Sequence, residues 1–328
     1  MSRSAWAAAA AIVVGLAIAA WALDTVGLAR TFDALAGIGV GGLLLFLLAY
    51  GMVLIALGCA WAASGHAGRG RVRTFTWARM VREAANDLLP FSQLGGLIFG
   101  VKVLCDAGIA PSRAYAATVL DLTTEMASQV LLVLAGVAIS ITLVTHANTD
   151  PKLELGIWIG TVVLGLLCVL FLLLRGPVLA LAEKMAKKML PAAGALIAEV
   201  RAELALFESG RLAILPSFLW NAAAWLLSVF SVWVALLLLH NPLSFDKVLA
   251  LEALISVVRS GAFLVPGGLG IQEAGYVLLA GIVGLDPGAA LALALLKRAR
   301  DVTIGVPTLL LWQAALIRGR KPAIGDVA

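Results

Sequence analysis

Apolar runs long enough to cross a bilayer recur along this chain, at about residues 5–23, 43–63, 114–144, 154–174, 212–239, 248–264, 269–284 and 288–317. Inside hydrocarbon every backbone N–H and C=O must be satisfied within the chain, so such runs cross as α-helices or as strands of a closed barrel. A barrel strand needs only about 9–11 residues, and these runs are longer. Composition points the same way. Hydrophobic residues make up 62% and charged residues 13%, against roughly 25% charged in a soluble domain, and the mean hydropathy is +1.02. No stretch is polar enough to build a soluble domain. The expected fold is all-α: a polytopic membrane protein of about eight spans. The N-terminal run is nearer 18 residues than the roughly 7–15 of a signal peptide core, which favours an uncleaved first span.

The charges between the runs orient the chain. Arg69, Arg71, Arg73, Arg79 and Arg82 fall in segment 64–82, and Arg175, Lys184, Lys187, Lys188, Arg201 and Arg211 in segment 175–211. Arg3 lies at one end and Arg318, Arg320 and Lys321 at the other, whereas the remaining connections hold only Arg30, Lys152 and Lys247. The positive-inside rule places the basic set, and both termini, in the cytoplasm. The net charge of +5 suits an anionic inner leaflet; no basic stretch carries the interleaved aromatics of a nucleic-acid surface.

That topology makes residues 86–111 awkward, because one crossing there would put the basic 175–211 segment outside. Pro90 and the Gly95–Gly96 pair break the run, so a re-entrant hairpin is expected, tolerated at membrane depth where it is buried in protein or lines a cavity. The chain then divides into a first membrane half (1–174), a connector (175–211) and a second half (212–328). In the connector Leu196, Val200, Leu204 and Phe207 recur at helical spacing. This fits a helix pair broken at Pro191, either lying on the inner surface or packed on the bundle.

The two halves resemble each other. An offset of 176 residues superposes Pro90 on Pro266, Gly108 on Gly284 and Pro111 on Pro287 without a gap. It also sets Asp121 opposite Lys297 and Glu125 opposite Asp301. A two-fold internal repeat follows, and paired interrupted segments in two halves point to a transporter's binding site. Charges inside an apolar helix mark function by default. Asp121 and Glu125 on one side, and Lys297, Arg298, Arg300 and Asp301 on the other, are therefore candidate pathway residues, expected to pair across the halves. The alternative is a structural lock between helices, with the end of the Lys297 group snorkelling to headgroups.

The stretch VPGGLGIQEAG (265–275) adds Pro266, Gly267, Gly268, Gly270 and Glu273. A helix is expected to start near Ile271, placing Glu273 in its first turn, where a carboxylate is favourable; the alternative is a helix end that faces a headgroup or a proton. Arg259 is the expected partner of Glu273. The pairs Gly96/Gly100 and Gly156/Gly160 suit close helix packing. Cys59, Cys105 and Cys168 read as small core residues, and His66, His146 and His240 lie singly, so neither a metal nor another cofactor is expected.

VPGGLGIQEAGYVLL, LDPGAALALALLKRARD, EAANDLLPFSQLGG, VLDLTTE and EVRAELALF together resemble the lysylphosphatidylglycerol-synthase transmembrane region, a flippase-like membrane family. They look closest to its hopanoid-biosynthesis-associated, HpnL-like branch. The resemblance implies a multi-pass bacterial inner-membrane protein that moves or distributes lipids, here hopanoids or a related polar or anionic lipid. It carries the motif P-G-G-x-G-x-x-E onto Pro266, Gly267, Gly268, Gly270 and Glu273, and a basic position onto Lys297 and Arg298. Gly95–Gly96 stands where the first-half motif commonly has Gly-Glu. The lysyl-lipid synthases add a soluble aminoacyl-transferase domain; none follows here before Ala328, so no enzyme is expected. The competing expectation is a scaffold that holds lipid-biosynthesis enzymes at the cytoplasmic face.

Overall fold

The computed structural model describes residues 28–66, 69–89, 92–146, 191–209, 214–261 and 270–317. The expectations for the runs 5–23 and 154–174, for Gly156/Gly160 and Cys168, and for Pro266, Gly267 and Gly268 lie outside the described residues. Those described form the helices α1 (Leu28–Ser64), α2 (Val72–Leu88), α3 (Ser92–Asp106), α4 (Pro111–His146), α5 (Pro191–Ser209), α6 (Leu215–Leu238), α7 (Phe245–Gly261), α8 (Ile271–Val283) and α9 (Pro287–Ile317). Three of them are long and apolar enough to cross a membrane: α1 from Gly37, α4 as far as Leu143, and α6. Their outer faces carry exposed Val40, Leu44, Leu48, Ile55, Leu131, Leu134, Leu219 and Leu226, while Arg79, Arg82, Asp121, Lys297 and Arg300 are buried. Apolar residues outside and charges inside is the arrangement a helix bundle needs in lipid.

The internal repeat is visible as structure. Helices α1 to α4 are repeated by α6 to α9. Gly108 and Gly284 each end a helix in the left-handed region, at φ 83° and 75°, a conformation that glycine adopts without a Cβ penalty. The following amides close the same bond in both halves, Ile109 to the Leu104 carbonyl at 3.1 Å and Leu285 to the Ala280 carbonyl at 3.0 Å. Pro111 and Pro287 then start the two long helices. Gly39, where α1 bends at φ 62°, stands opposite Leu215, where α6 begins.

The repeat-equivalent helices α1 and α6 run antiparallel. Gly42 packs against Leu238, Val53 and Leu57 cluster with Ala224, and the Ser64 and Ser217 hydroxyls meet at 2.7 Å. Equivalent elements in antiparallel contact require an approximate two-fold axis across the helices, so the halves form an inverted repeat. The halves also exchange contacts. Gly136 of α4 packs against Ala253 of α7, and Gly305 of α9 against Ala84 and Leu88 of α2. Gln129 reaches Ser260 at 3.4 Å, at the positions equivalent to Gly305 and Ala84.

Two expectations change. The first-half hairpin is α2 with α3, covering 72–106, and it does not break at the glycines; the expected break at Pro90 lies outside the described residues. Helix α3 runs through Gly95 and Gly96, and Gly96 lies so close to the Arg82 carbonyl, 2.6 Å from where a Cβ would sit, that no side chain fits. Arg79 and Arg82 are therefore not part of an exposed connection; they sit in α2, exposed by only 1% and 4%. In the connector, Leu196, Val200 and Leu204 of α5 pack against Ala116 and Leu120 of α4, which is the bundle-packed alternative.

Candidate functional site

Helix α2 alternates Phe75, Ala78, Val81 and Ala85 with Arg79, Arg82 and Glu83, all but Glu83 buried. Such a helix is stable at membrane depth only where other helices supply counter-charges. Helix α4 supplies them. Arg79 Nη1 donates to Asp121 Oδ2 at 3.0 Å and Glu125 Oε2 at 3.1 Å, and Nη2 donates to Glu125 Oε1 at 2.6 Å. Arg82 donates to the same two carboxylates at 3.1 and 3.2 Å. Glu83 lies 2.8 Å from Arg79 Nε, and Trp61 stacks under the Arg82 guanidinium at 5.7 Å. A chain of polar groups leads away from this cluster. Asn221 donates to Asp121 at 3.4 Å and to Thr124 at 3.0 Å, Thr124 meets Ser217 at 2.8 Å, and Ser217 meets Ser64.

The second half builds its own cluster with the signs reversed. Lys297 Nζ donates to Glu252 Oε2 at 2.8 Å and to the Tyr276 hydroxyl at 2.5 Å, and that hydroxyl donates to Glu252. Arg298 Nε donates to Glu273 Oε1 at 2.7 Å; Glu273 Oε2 is buried with no hydrogen-bond partner among the described residues. Arg300 holds Asp301 at 2.6 Å, and its guanidinium carbon lies over the Tyr50 ring, 3.7 Å from the ring centre. In both halves the long helix pairs with the hairpin beside it. In the first the hairpin brings the cations, and in the second it brings the anions.

One further pair ties the halves together. Arg259, at the end of α7, donates to Asp87 Oδ1, at the end of α2, at 2.9 Å. The Arg259 side chain is 44% exposed and Asp87 9%, so this bridge lies at the surface of the bundle.

Three expectations are corrected here. Asp121 and Glu125 do not pair with Lys297, Arg298 or Arg300, because an arginine pair inside their own half reaches them first. Arg259 is not the partner of Glu273; Arg298, one turn along the neighbouring helix, takes that place. Lys297 does not snorkel, since it is 6% exposed and held by two groups. As expected, α8 starts at Ile271 with Glu273 in its first turn, and Gly270 before it has a positive φ of 76°. The residues that sequence reasoning missed are Arg79, Arg82, Asp87, Glu252 and Tyr276. Glu252 was legible, being a lone carboxylate inside an apolar helix. The α2 arginines were hidden by their likeness to a basic loop.

A family model described as the lysylphosphatidylglycerol synthase TM region matches residues 7–309. No curated protein matches the sequence.

Proposed function

Starting from a chain that belongs to the lysylphosphatidylglycerol synthase transmembrane-region family, hence a multi-pass membrane protein, we propose that it translocates or distributes lipids across the bacterial inner membrane. The transported lipid on this reading is a hopanoid or a related polar lipid, as in the hopanoid-biosynthesis-associated branch, both termini are cytoplasmic, and the protein has no enzymatic activity of its own. The observation that carries the reading is the buried charge cluster in each of the inverted repeats, with the half-exposed Asp87–Arg259 bridge joining the two halves. Arg79, Arg82, Arg259, Lys297, Arg298 and Arg300 stand against Glu83, Asp87, Asp121, Glu125, Glu252, Glu273 and Asp301. Cations and anions nearly balance. Charges of both signs between the helices suit a hydroxylated or zwitterionic headgroup, which exchanges hydrogen bonds with both while its tail stays in lipid. They suit a plain anion pore poorly. The near-balance also accommodates an uncharged hopanoid core better than an excess of arginine would.

The test is purified protein in proteoliposomes, with transbilayer movement of a hopanoid and of phosphatidylglycerol followed by accessibility to an impermeant reagent. Movement that needs only this protein, and that falls at least about tenfold in Glu273→Gln and Asp87→Asn while both variants still insert and fold, supports the proposal; a tenfold loss corresponds to roughly 1.4 kcal/mol. Normal lipid transfer in both variants removes the network from the pathway. No movement with purified wild type favours the scaffold reading, and chemical alteration of the lipid favours an enzyme.

A further inference from the structure

Away from the charge network, a cavity of about 310 Å³ opens where α1 ends, α2 begins and the α3–α4 turn closes. That volume is at the lower end of small-ligand sites, about 300–1,000 Å³. Its floor is apolar, formed by Phe75, Ile109 and Ala117, and its rim carries His66, Arg71 and Arg113. Arg113 is fixed in place: Nε and Nη2 both donate to the Gly65 carbonyl, at 3.2 and 3.0 Å. No acidic side chain lies in the first turn of either α2 or α4.

The inverted repeat supplies an internal comparison. At the 176-residue offset Ala110 becomes Asp286, Ala117 becomes Leu293, Arg113 becomes Ala289 and His66 becomes Pro242; Arg71 becomes Lys247. In that half Asp286 Oδ2 accepts from the Ala289 amide at 3.0 Å, and Leu293 is wholly buried. The second half thus provides its own carboxylate at the start of the long helix and fills the hollow with a leucine. The first half has the hollow and the basic rim, with no carboxylate among the described residues that line it.

We infer that this cavity is a binding site for a phosphate group, held by Arg71, Arg113 and His66 at the position where the other half places Asp286. The apolar floor fits the glycerol and first methylenes of a phospholipid, and the arginine-rich end of the first half is the end that the positive-inside rule assigns to the cytoplasmic leaflet. A lipid phosphate and inorganic phosphate share this chemistry. The site does not depend on the transport proposal, because it is read by binding alone.

The experiment uses the purified full-length protein in detergent. Its thermal midpoint is followed against inorganic phosphate, phosphatidylglycerol and uncharged diacylglycerol; a ligand that binds the folded state raises the midpoint. Two variants test the site: Ala110→Asp installs the carboxylate of the other half at an exposed position, and Ala117→Leu fills the hollow. Wild type is expected to respond to phosphatidylglycerol and not to diacylglycerol, with binding about tenfold weaker in Ala110→Asp, the size of one lost charge-assisted hydrogen bond. Competition by inorganic phosphate would identify the phosphate group alone as sufficient; its failure to compete would assign the site to the lipid headgroup. Unchanged phosphatidylglycerol binding in Ala110→Asp, an equal response to diacylglycerol, or no response of wild type to either phosphate compound overturns the inference. Should Ala117→Leu fail to fold, Ala110→Asp decides alone, since a carboxylate at the start of α4 caps the helix as Asp286 does and is expected to leave the unliganded midpoint at or above that of wild type.

Discussion

At Asp121 two guanidinium groups meet one carboxylate that has no exposed surface. Removing one partner of a buried pair leaves a bare charge in a low dielectric, at a cost of about 3–5 kcal/mol. Asp121→Ala and Arg79→Ala are each expected to lower stability by that order in denaturant unfolding from detergent. The control is Lys102→Ala, which breaks a pair exposed by 49% and 28% and should cost less than about 1 kcal/mol. Pairing within each half makes a sharper claim. Glu252→Ala and Lys297→Ala should be non-additive by about 0.5–3 kcal/mol, whereas Asp121→Ala and Lys297→Ala should add to within about 0.5 kcal/mol. A large coupling between Asp121 and Lys297 would return the pairing to the cross-half arrangement.

Glycine does different jobs at the scale of the helices. Gly108 lies in open space, so a Cβ there meets nothing and only the positive φ of 83° resists it. Gly58 faces α2 so closely that a Cβ would stand 2.6 Å from the Thr76 Cα, which backbone adjustment alone can relieve. Gly108→Ala is therefore expected to cost about 1 kcal/mol from the lost left-handed freedom. Gly58→Ala should cost more, about 1–3 kcal/mol from overpacking between α1 and α2. Equal midpoints for the two variants in thermal unfolding would contradict the close α1–α2 contact. The i, i+3 and i+4 spacing of Arg79, Arg82 and Glu83 also explains why α2 forms. One face of the helix is charged and faces α4, and the rest is Phe, Ala and Val packed in the core.

The inverted repeat is a property of the whole molecule and has two consequences that can be measured. In a cysteine-free background, Ser64→Cys with Ser217→Cys should form a disulfide on mild oxidation, as should Gly42→Cys with Leu238→Cys at the opposite end. Parallel α1 and α6 could not give both. The turns after α1 and α6 must also face opposite sides of the membrane. Gly70→Cys and Ser244→Cys, both at exposed positions, should label with an impermeant thiol reagent from opposite sides, Ser244→Cys alone reacting in intact spheroplasts. Labelling of both from outside would refute the inverted arrangement, whatever lipid the protein handles.

Several features were determined by the sequence alone because they rest on local rules. Backbone satisfaction in hydrocarbon makes the long apolar runs helical. The matched spacing of Pro90 and Pro111 with Pro266 and Pro287 carried the repeat, with Gly108 and Gly284 each three residues before the second proline; that both glycines end helices in the left-handed region came from the structure. The start of α8 at Ile271, with Glu273 in its first turn, was likewise a matter of adjacent residues. Which charges meet was not legible. Arg79 and Arg82 stand near Arg69, Arg71 and Arg73 in the sequence and share their composition. What separates them is that α2 packs against α3 and lays the face that carries Arg79 and Arg82 on α4, leaving Arg73 of the same helix exposed. Opposite charges attract whatever their place in the chain, so sign complementarity allowed Asp121 to partner Lys297 as readily as Arg79. Distance selects among those partners, and the distances were decided by helix packing about the two-fold axis.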